Sequence, residues 1–349
     1  MTKQITKKDV VAEAAGASLV DKPILAVVDD GYAQLKALAD GRSVVLPTRF
    51  RAGPSGDVAM DGPGADVYEV DGEVFEAAGV VGKSESTDTD NFHYSTLNLV
   101  AVHHALHRLG LAGRSVDLVV GLPVKDFFRG DGSRNEENIA RKIANLSKPV
   151  EAFRGLDKIE PVTISRVRVV AQAVSTWVDW AYDDVGALRV AKDANIGVVD
   201  IGGRTTDVTV VLGGRTIDGR ASGSVNLGAL DVYARIERDI VSVYPRLASS
   251  MNLAKAEAAS RTGVITAYGK PIDVSEIVAA AKDEIEKRIR RHLEKVMKDR
   301  AADLDCILLV GGSVNLFSGL ADLWPNVETL PNAEMSNANG MLKWGKAKG

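Results

Sequence analysis

One short pattern occurs twice in this chain: Val27-Val28-Asp29-Asp30-Gly31, and again Val198-Val199-Asp200-Ile201-Gly202. Each copy closes an apolar run, ILAVVDD or IGVVDIGG, and opens a stretch of alternating residues. Each therefore predicts a buried strand, a tight turn and a second antiparallel strand. An acid at the end of a buried strand costs free energy unless it meets a partner. The glycine beside it lets backbone N–H groups converge on an anion. Two similar halves that face each other across a cleft would explain the two copies. The length of 349 residues exceeds what one compact core usually holds and predicts two domains of ordinary size or one domain with insertions.

The residues around each turn carry chemistry. In the first hairpin the N–H groups of Tyr32, Ala33 and Gln34 follow Gly31, and Lys36 adds a positive charge. Alone this is also an ordinary Asp-Gly hairpin. In the second, VVDIGGRTTDVTVV, Gly202 and Gly203 permit close approach to phosphates, and Thr205 and Thr206 offer hydroxyls. Asp200 stands where it can hold a hydrated Mg²⁺, with Asp207 beyond it. A third turn, Gly311-Gly312-Ser313, follows the buried run CILLV and leads into a predicted helix, as a loop against a sugar and base would. The sequence contains no Gly-x4-Gly-Lys-Ser/Thr loop, and VGGSVNLFSG is a poor dinucleotide fingerprint.

Between these turns the chain reads as alternating strands and helices. Residues 1–22 form a polar, alanine-rich extension without the apolar stretch of a secretory leader. Residues 40–95, rich in Gly, Pro, Asp, Ser and Thr, predict a small β-rich subdomain. Asn98–Leu111 carries a helical apolar stripe, 116–124 is a buried strand and 134–146 the next helix. Helices are predicted over 225–243 and 274–300, the latter capped by Asp273 with Glu276 in a capping-box spacing. Residues 244–272 then form an insertion or second small subdomain. In 282–300, Glu284–Arg288 and Glu286–Arg290 stand at i,i+4 and predict a solvated face.

Composition excludes several functions. With 45% hydrophobic and 26% charged residues, and no apolar run near the roughly 20 residues of a membrane helix, the chain is expected to be soluble and cytoplasmic. A net charge of −4 argues against direct coating of nucleic acid. The single cysteine, Cys306, is expected to be a buried thiol. His103, His104 and His107 lack accompanying ligands and are read as packing residues of one helix.

Hairpin, hairpin and strand-to-helix turn, in that order, resemble the two phosphate loops and the adenosine loop of the actin, sugar-kinase and heat-shock chaperone superfamily. Within it AVHHALHRLGL, VDLVVGLPVKDFF, RNEENIARKIANL and the C-terminal NANGML are similar to the ParM family of plasmid-segregation filament proteins. The resemblance runs from about Ile24 to Trp344. It implies an α/β, actin-like (ribonuclease H-like) fold of two domains around a nucleotide cleft, with domain I at 23–194, domain II at 195–330 and a segment 331–349 returning to domain I. It also implies ATP hydrolysis with Mg²⁺, GTP being the alternative nucleotide, and assembly into filaments. A ParR-like adaptor on a plasmid centromere would link the filament to DNA, with no membrane involved.

By the same resemblance Asp29, Asp30, Gly31, Tyr32, Ala33, Gln34 and Lys36 form the first phosphate loop. Gly202, Gly203, Arg204 and Thr205 form the second, and Gly311, Gly312 and Ser313 the adenosine loop. Asp200 positions metal and water. Tyr32 and Ala33 stand where relatives often have small hydroxyl residues, and Arg204 replaces a usual small residue. Gln172 takes the water-activating position, where ParM proteins commonly have glutamate; an amide orients water but is no strong base. Rival readings are a non-polymerising small-molecule kinase on the same fold and another actin-like scaffold.

Overall fold

The structure is a computed structural model that describes residues 22–53, 64–77, 84–87 and 89–348. The predicted extension 1–22 lies outside the described residues apart from Lys22. The first half contains β1 (Ile24–Asp30), β2 (Gln34–Ala39), β3 (Arg42–Pro47), β4 (Phe50–Ala52), β5 (Asp66–Val70) and β6 (Glu73–Ala77). Then come α1 (Thr96–Arg108), β7 (Ser115–Leu122), α2 (Val124–Phe127), α3 (Glu136–Leu146), β8 (Glu151–Arg154), β9 (Asp157–Ile159), β10 (Thr163–Ala171) and α4 (Gln172–Ala181). The second half contains β11 (Ile196–Ile201), β12 (Thr206–Leu212), β13 (Thr216–Ile217), β14 (Gly223–Val225), α5 (Ala229–Val243) and α6 (Leu253–Thr262). It continues with β15 (Val264–Ala267), β16 (Lys270–Asp273), α7 (Ser275–Met297), β17 (Cys306–Val310), β18 (Val327–Thr329) and α8 (Ser336–Ala347).

The repeated motif produces the same topology twice. One sheet runs β10-β7-β1-β2-β3 and the other β13-β12-β11-β17-β18, with β14 also on β12. In each, the motif strand pairs antiparallel with its hairpin partner and parallel with a later strand. Both motif strands therefore lie mid-sheet, buried on both faces, which is why they read as continuous apolar runs. α1 and α3 cover one face of the first sheet. α5, α6 and α7 cover one face of the second.

The remaining faces are covered by exchange. α4 follows the last strand of the first sheet, yet Ala173, Trp177 and Trp180 pack on Ile196, Val198 and Leu308 of the second. α8 follows the second sheet, yet Ala338 and Met341 pack on Val27, Val119 and Val170 of the first. The two helices touch each other where Gly340 meets Ser175; a Cβ there would lie 1.7 Å from the Ser175 carbonyl oxygen. Any side chain at 340 would push the two halves apart.

Several expectations need correction. Residues 42–47, assigned to the small β-rich subdomain, join the main sheet as β3. The small sheet is β4-β6-β5-β8-β9, so it recruits residues 151–159 from far along the chain. Asp273 ends β16 and is not the cap of α7; its carboxylate accepts from the Ser275 N–H, and Val274 precedes the helix without a side-chain cap. Glycines and Ser313 lead into short 3₁₀ turns, 314–316 and 318–322, rather than an α-helix. On α7, Glu284 pairs with Arg235 of α5 instead of Arg288, while Glu286 reaches Arg290 at 3.9 Å and accepts from the Gly319 N–H. That helix is half core, since Ile285, Ile289, Leu293 and Met297 are buried.

Candidate functional site

Side chains alternate along a strand, so the two acids of the first motif point to opposite faces of the sheet. Asp29 looks toward the second half. Its cross-strand neighbour is Lys36, whose Nζ stands 3.3 Å from Asp29 Oδ2, and Gln172 Nε2 donates to Asp29 Oδ1 at 3.3 Å. Gln172 opens α4 directly after β10, which is how a strand end delivers it here.

Asp30 faces away, into the α1 side of the sheet. There the Lys142 ammonium and the Asn98 amide donate to Oδ2, and His93 Nδ1 lies 3.4 Å off. Lys142 also donates to Asn98 Oδ1 at 2.7 Å. Burial alone would raise the Asp30 carboxyl, but Lys142 and His93 outweigh it and hold it at about 2. Asp30 is thus an anchor behind the first loop rather than part of its ligand-facing surface.

The second motif is built differently. Asp200 pairs across the hairpin with Asp207, another acid, instead of a lysine. Its Oδ2 accepts from Asn337 Nδ2 at 2.7 Å, an amide brought in by α8. Burial, and next the nearby Asp29 carboxylate, push the Asp200 carboxyl up to about 6, while Asn337 and Lys36 work against them. Thr205 Oγ1 donates to Asp207 Oδ2 at 2.7 Å.

Glycines bring the loops together. A Cβ on Gly203 would lie 2.4 Å from Ala33 Cβ, so the two hairpin turns touch. Gly228 packs equally tightly under the second turn, and the first N–H groups of α5 are taken by its carbonyls: Ala229 N to Gly202 O, 3.2 Å, and Leu230 N to Gly203 O, 2.8 Å. The third turn closes the set. Gly311 adopts φ +101° under Asp200 and Ile201, and a Cβ on Gly312 would meet Gln34 Oε1 at 2.8 Å. Ser313 Oγ donates to Gly202 O at 2.9 Å.

Together these elements surround a cavity of about 220 Å³. Of the candidate residues, Asp29, Gly31, Tyr32, Ala33, Gln34, Lys36, Gln172, Asp200, Gly202, Gly203, Thr205, Gly312 and Ser313 line it. Asp30, Arg204 and Gly311 do not. Arg204 instead lies over the Tyr32 ring, 5.4 Å from its centroid, and pairs with Asp90 at 3.0 Å. Sequence reasoning missed Asn337, although NANGML contains it, and missed His93, Tyr233, Glu257 and Arg261 along the same cavity. It also missed Thr48 and Thr87, whose hydroxyls hold the Gly31 and Tyr32 carbonyls at 2.7 Å each.

The other flagged residues lie elsewhere. His104 Nδ1 meets the Tyr68 hydroxyl at 3.0 Å, and the rings of His103 and His107 sit 6.4 Å apart in the α1 packing. Cys306 is buried in β17, and burial pushes its thiol up to about 12. Among the described residues no cluster of three or more His, Cys, Asp or Glu could hold a metal, and no helix is long and apolar enough to cross a membrane.

Comparison with known proteins agrees with this architecture. Residues 24–183 match the model of the N-terminal part of the plasmid segregation protein ParM, and residues 198–321 that of the C-terminal part of the archaeal MreB-like actin homologue. The first half of the chain is thus similar to ParM and the second to the archaeal MreB-like actin homologue. Among solved structures, the fold matches a non-polymerisable quadruple mutant of pCBH ParM at a TM-score of 0.75 and 20% identity, covering 93% of this chain and 100% of that one. A 15-stranded ParM filament from Clostridium botulinum gives 0.73 and 20%, over 93% and 99%. An archaeal actin homologue in complex with ADP gives 0.71 and 18%, over 93% and 99%. No curated protein sequence matches the chain. At these identities the solved structures show the actin-like fold.

Proposed function

We propose that this ParM-like protein binds and hydrolyses ATP with Mg²⁺ between its two halves, and that hydrolysis governs assembly of the chain into filaments that move plasmid DNA through a DNA-bound adaptor. The observation that carries the reading is the convergence of Asp29, Lys36 and Gln172 from one half, and Asp200, Gly203 and Thr205 from the other, on one cavity. We take the halves as domains I, 23–194, and II, 195–330, with 331–349 returning to the first.

The residues suit the ligands this requires. Mg²⁺ usually keeps several waters and takes one or two carboxylates besides phosphate, and among the acids lining the cavity Asp29 and Asp200 are close enough to act on each other, with Lys36 in an ion pair with Asp29. When bound, the ion would offset phosphate charge. The turns at Gly31 and Gly203 carry no side chain of their own, so once the loops part their backbone can approach phosphate oxygens. Lys36 supplies a fixed positive charge from the strand behind. Gln172, held by Asp29, orients a water through its amide without removing its proton, so slow hydrolysis is expected. Asn337 fixes the Asp200 carboxylate from α8, and therefore ties its position to the helix pair that joins the halves.

The cavity is smaller than the roughly 300–1,000 Å³ of typical small-molecule sites, so the touching loops must part to admit a nucleotide. A nucleotide that binds the parted and closed arrangements unequally shifts that equilibrium, and head-to-tail contacts between copies would respond. The solved ParM filament and the ADP complex of the archaeal homologue support this reading by analogy. Calorimetric titration tests the first step. ATP should bind more tightly with Mg²⁺ than with EDTA, and Asp200→Ala should remove most of that difference; absence of ATP and GTP binding at millimolar concentration would overturn the reading.

A further inference from the structure

Tyr32 in the first loop and Arg204 in the second meet each other across the two halves. The Arg204 guanidinium lies over the Tyr32 ring, and both flank the tightest contact between the loops, Ala33 against Gly203. Neither side chain is loose. The Tyr32 ring is 6% exposed, packed at 5.2 Å against Phe92 and edge-on at 4.9 Å against His93. Arg204 also pairs with the exposed carboxylate of Asp90, two positions before Phe92. One short segment of the first half thus supports both members of the pair. Tyr32 also separates two spaces: it lines the cavity between the carboxylates and a second one of about 400 Å³, lined by Arg49, Arg204, Asp231 and Glu257.

We infer that Tyr32, Arg204 and Asp90 form a clasp across the two phosphate loops that sets how long a nucleoside triphosphate stays in the cavity. This deepens the proposed function and rests on it. A cation over an aromatic face, removed from water, is a directional attraction that neither partner makes alone. The guanidinium lies over the ring with one nitrogen 3.0 Å from the Asp90 carboxylate, a pairing that a small residue at 204 cannot make. Because loop separation is needed for a nucleotide to pass, a contact that spans the loops slows passage in both directions. Tyr32 and Arg204 are positioning residues here.

The test is release of a fluorescent methylanthraniloyl-ATP from the full-length protein, chased with excess ATP at a protein concentration that does not pellet. Tyr32→Ser and Arg204→Ser should each speed release by about tenfold. The double variant should be no faster than either single one, because both remove one contact. Tyr32→Phe keeps the ring but loses the hydroxyl, and should speed release less than Tyr32→Ser does. Rates unchanged in both single variants, or a double variant whose acceleration is the product of the two, would overturn the clasp while leaving nucleotide binding standing. Failure of the wild type to bind the probe at all would instead contradict the proposed function. Circular dichroism melts of each variant show whether an altered rate comes from the contact or from loss of fold.

Discussion

The two hairpins begin from one sequence pattern and reach opposite electrostatic solutions. In the first, Asp29 faces Lys36 across the ladder and Asp30 is sealed behind it with Lys142. In the second, Asp200 faces Asp207 across the ladder and accepts from the amide of Asn337. The Asp29 carboxylate is therefore paired with a cation of its own hairpin, whereas the cross-strand neighbour of Asp200 is a second acid. Their carbonyls are held differently as well: side chains of Thr48 and Thr87 grip the first turn, whereas the first N–H groups of α5 and Ser313 grip the second. Topology repeats while chemistry divides the labour.

The contrast can be broken experimentally. Lys142→Met should cost about 3–5 kcal/mol in urea unfolding, because it strands a fully buried carboxylate. Asp30→Asn on the same background should recover part of the loss. Since the Asp30 carboxyl is held at about 2, below its unfolded value, its contribution is present above pH 4 and disappears as pH falls through 2. Asp200 has the opposite sign. Its rise from 3.8 to about 6 corresponds to about 3 kcal/mol that favours the fold at low pH and is lost as pH rises through 6. In EDTA, wild type should therefore weaken relative to Asp200→Asn between pH 4 and 7, a difference that cancels the histidine contributions common to both; equal pH slopes would remove the asymmetry argued above.

Smaller effects sharpen the comparison. Gln172→Ala should lower phosphate release by about tenfold, less than the 10²–10⁴ expected on losing a general base. A loss of that larger size would make Gln172 part of a proton path. Thr48→Val removes the grip on Gly31 and should cost about 1 kcal/mol, with faster amide exchange at 31–33 and unchanged exchange at 202–205.

Much of this was legible because apolar runs broken by acid and glycine leave few alternatives. The parts that were not legible have specific causes. Assigning Asp30 to the ligand surface overlooked strand alternation, which the sequence does contain, since neighbours on a strand cannot face the same way. The pairing of β5 with β8 joins segments about eighty residues apart, and local pattern carries no register over that distance. Arg204 was ambiguous because its partners, Tyr32 and Asp90, come from the other half. Asn337 sat in a quoted motif, but its role arises only when α8 crosses back to the first sheet. The Asp273 cap failed because the chain stays extended through β16 and the Asp carboxylate satisfies Ser275 locally.

The most direct test of the central claim is sedimentation with simultaneous phosphate release, using Mg-ATP, a non-hydrolysable analogue and no nucleotide, in wild type and Asp200→Ala. The account predicts that wild type pellets only with nucleotide and releases phosphate as it does so, while Asp200→Ala releases on the order of 10²-fold less. A wild type that stays in the supernatant at high concentration and turns over ATP only when a small acceptor is added would contradict it.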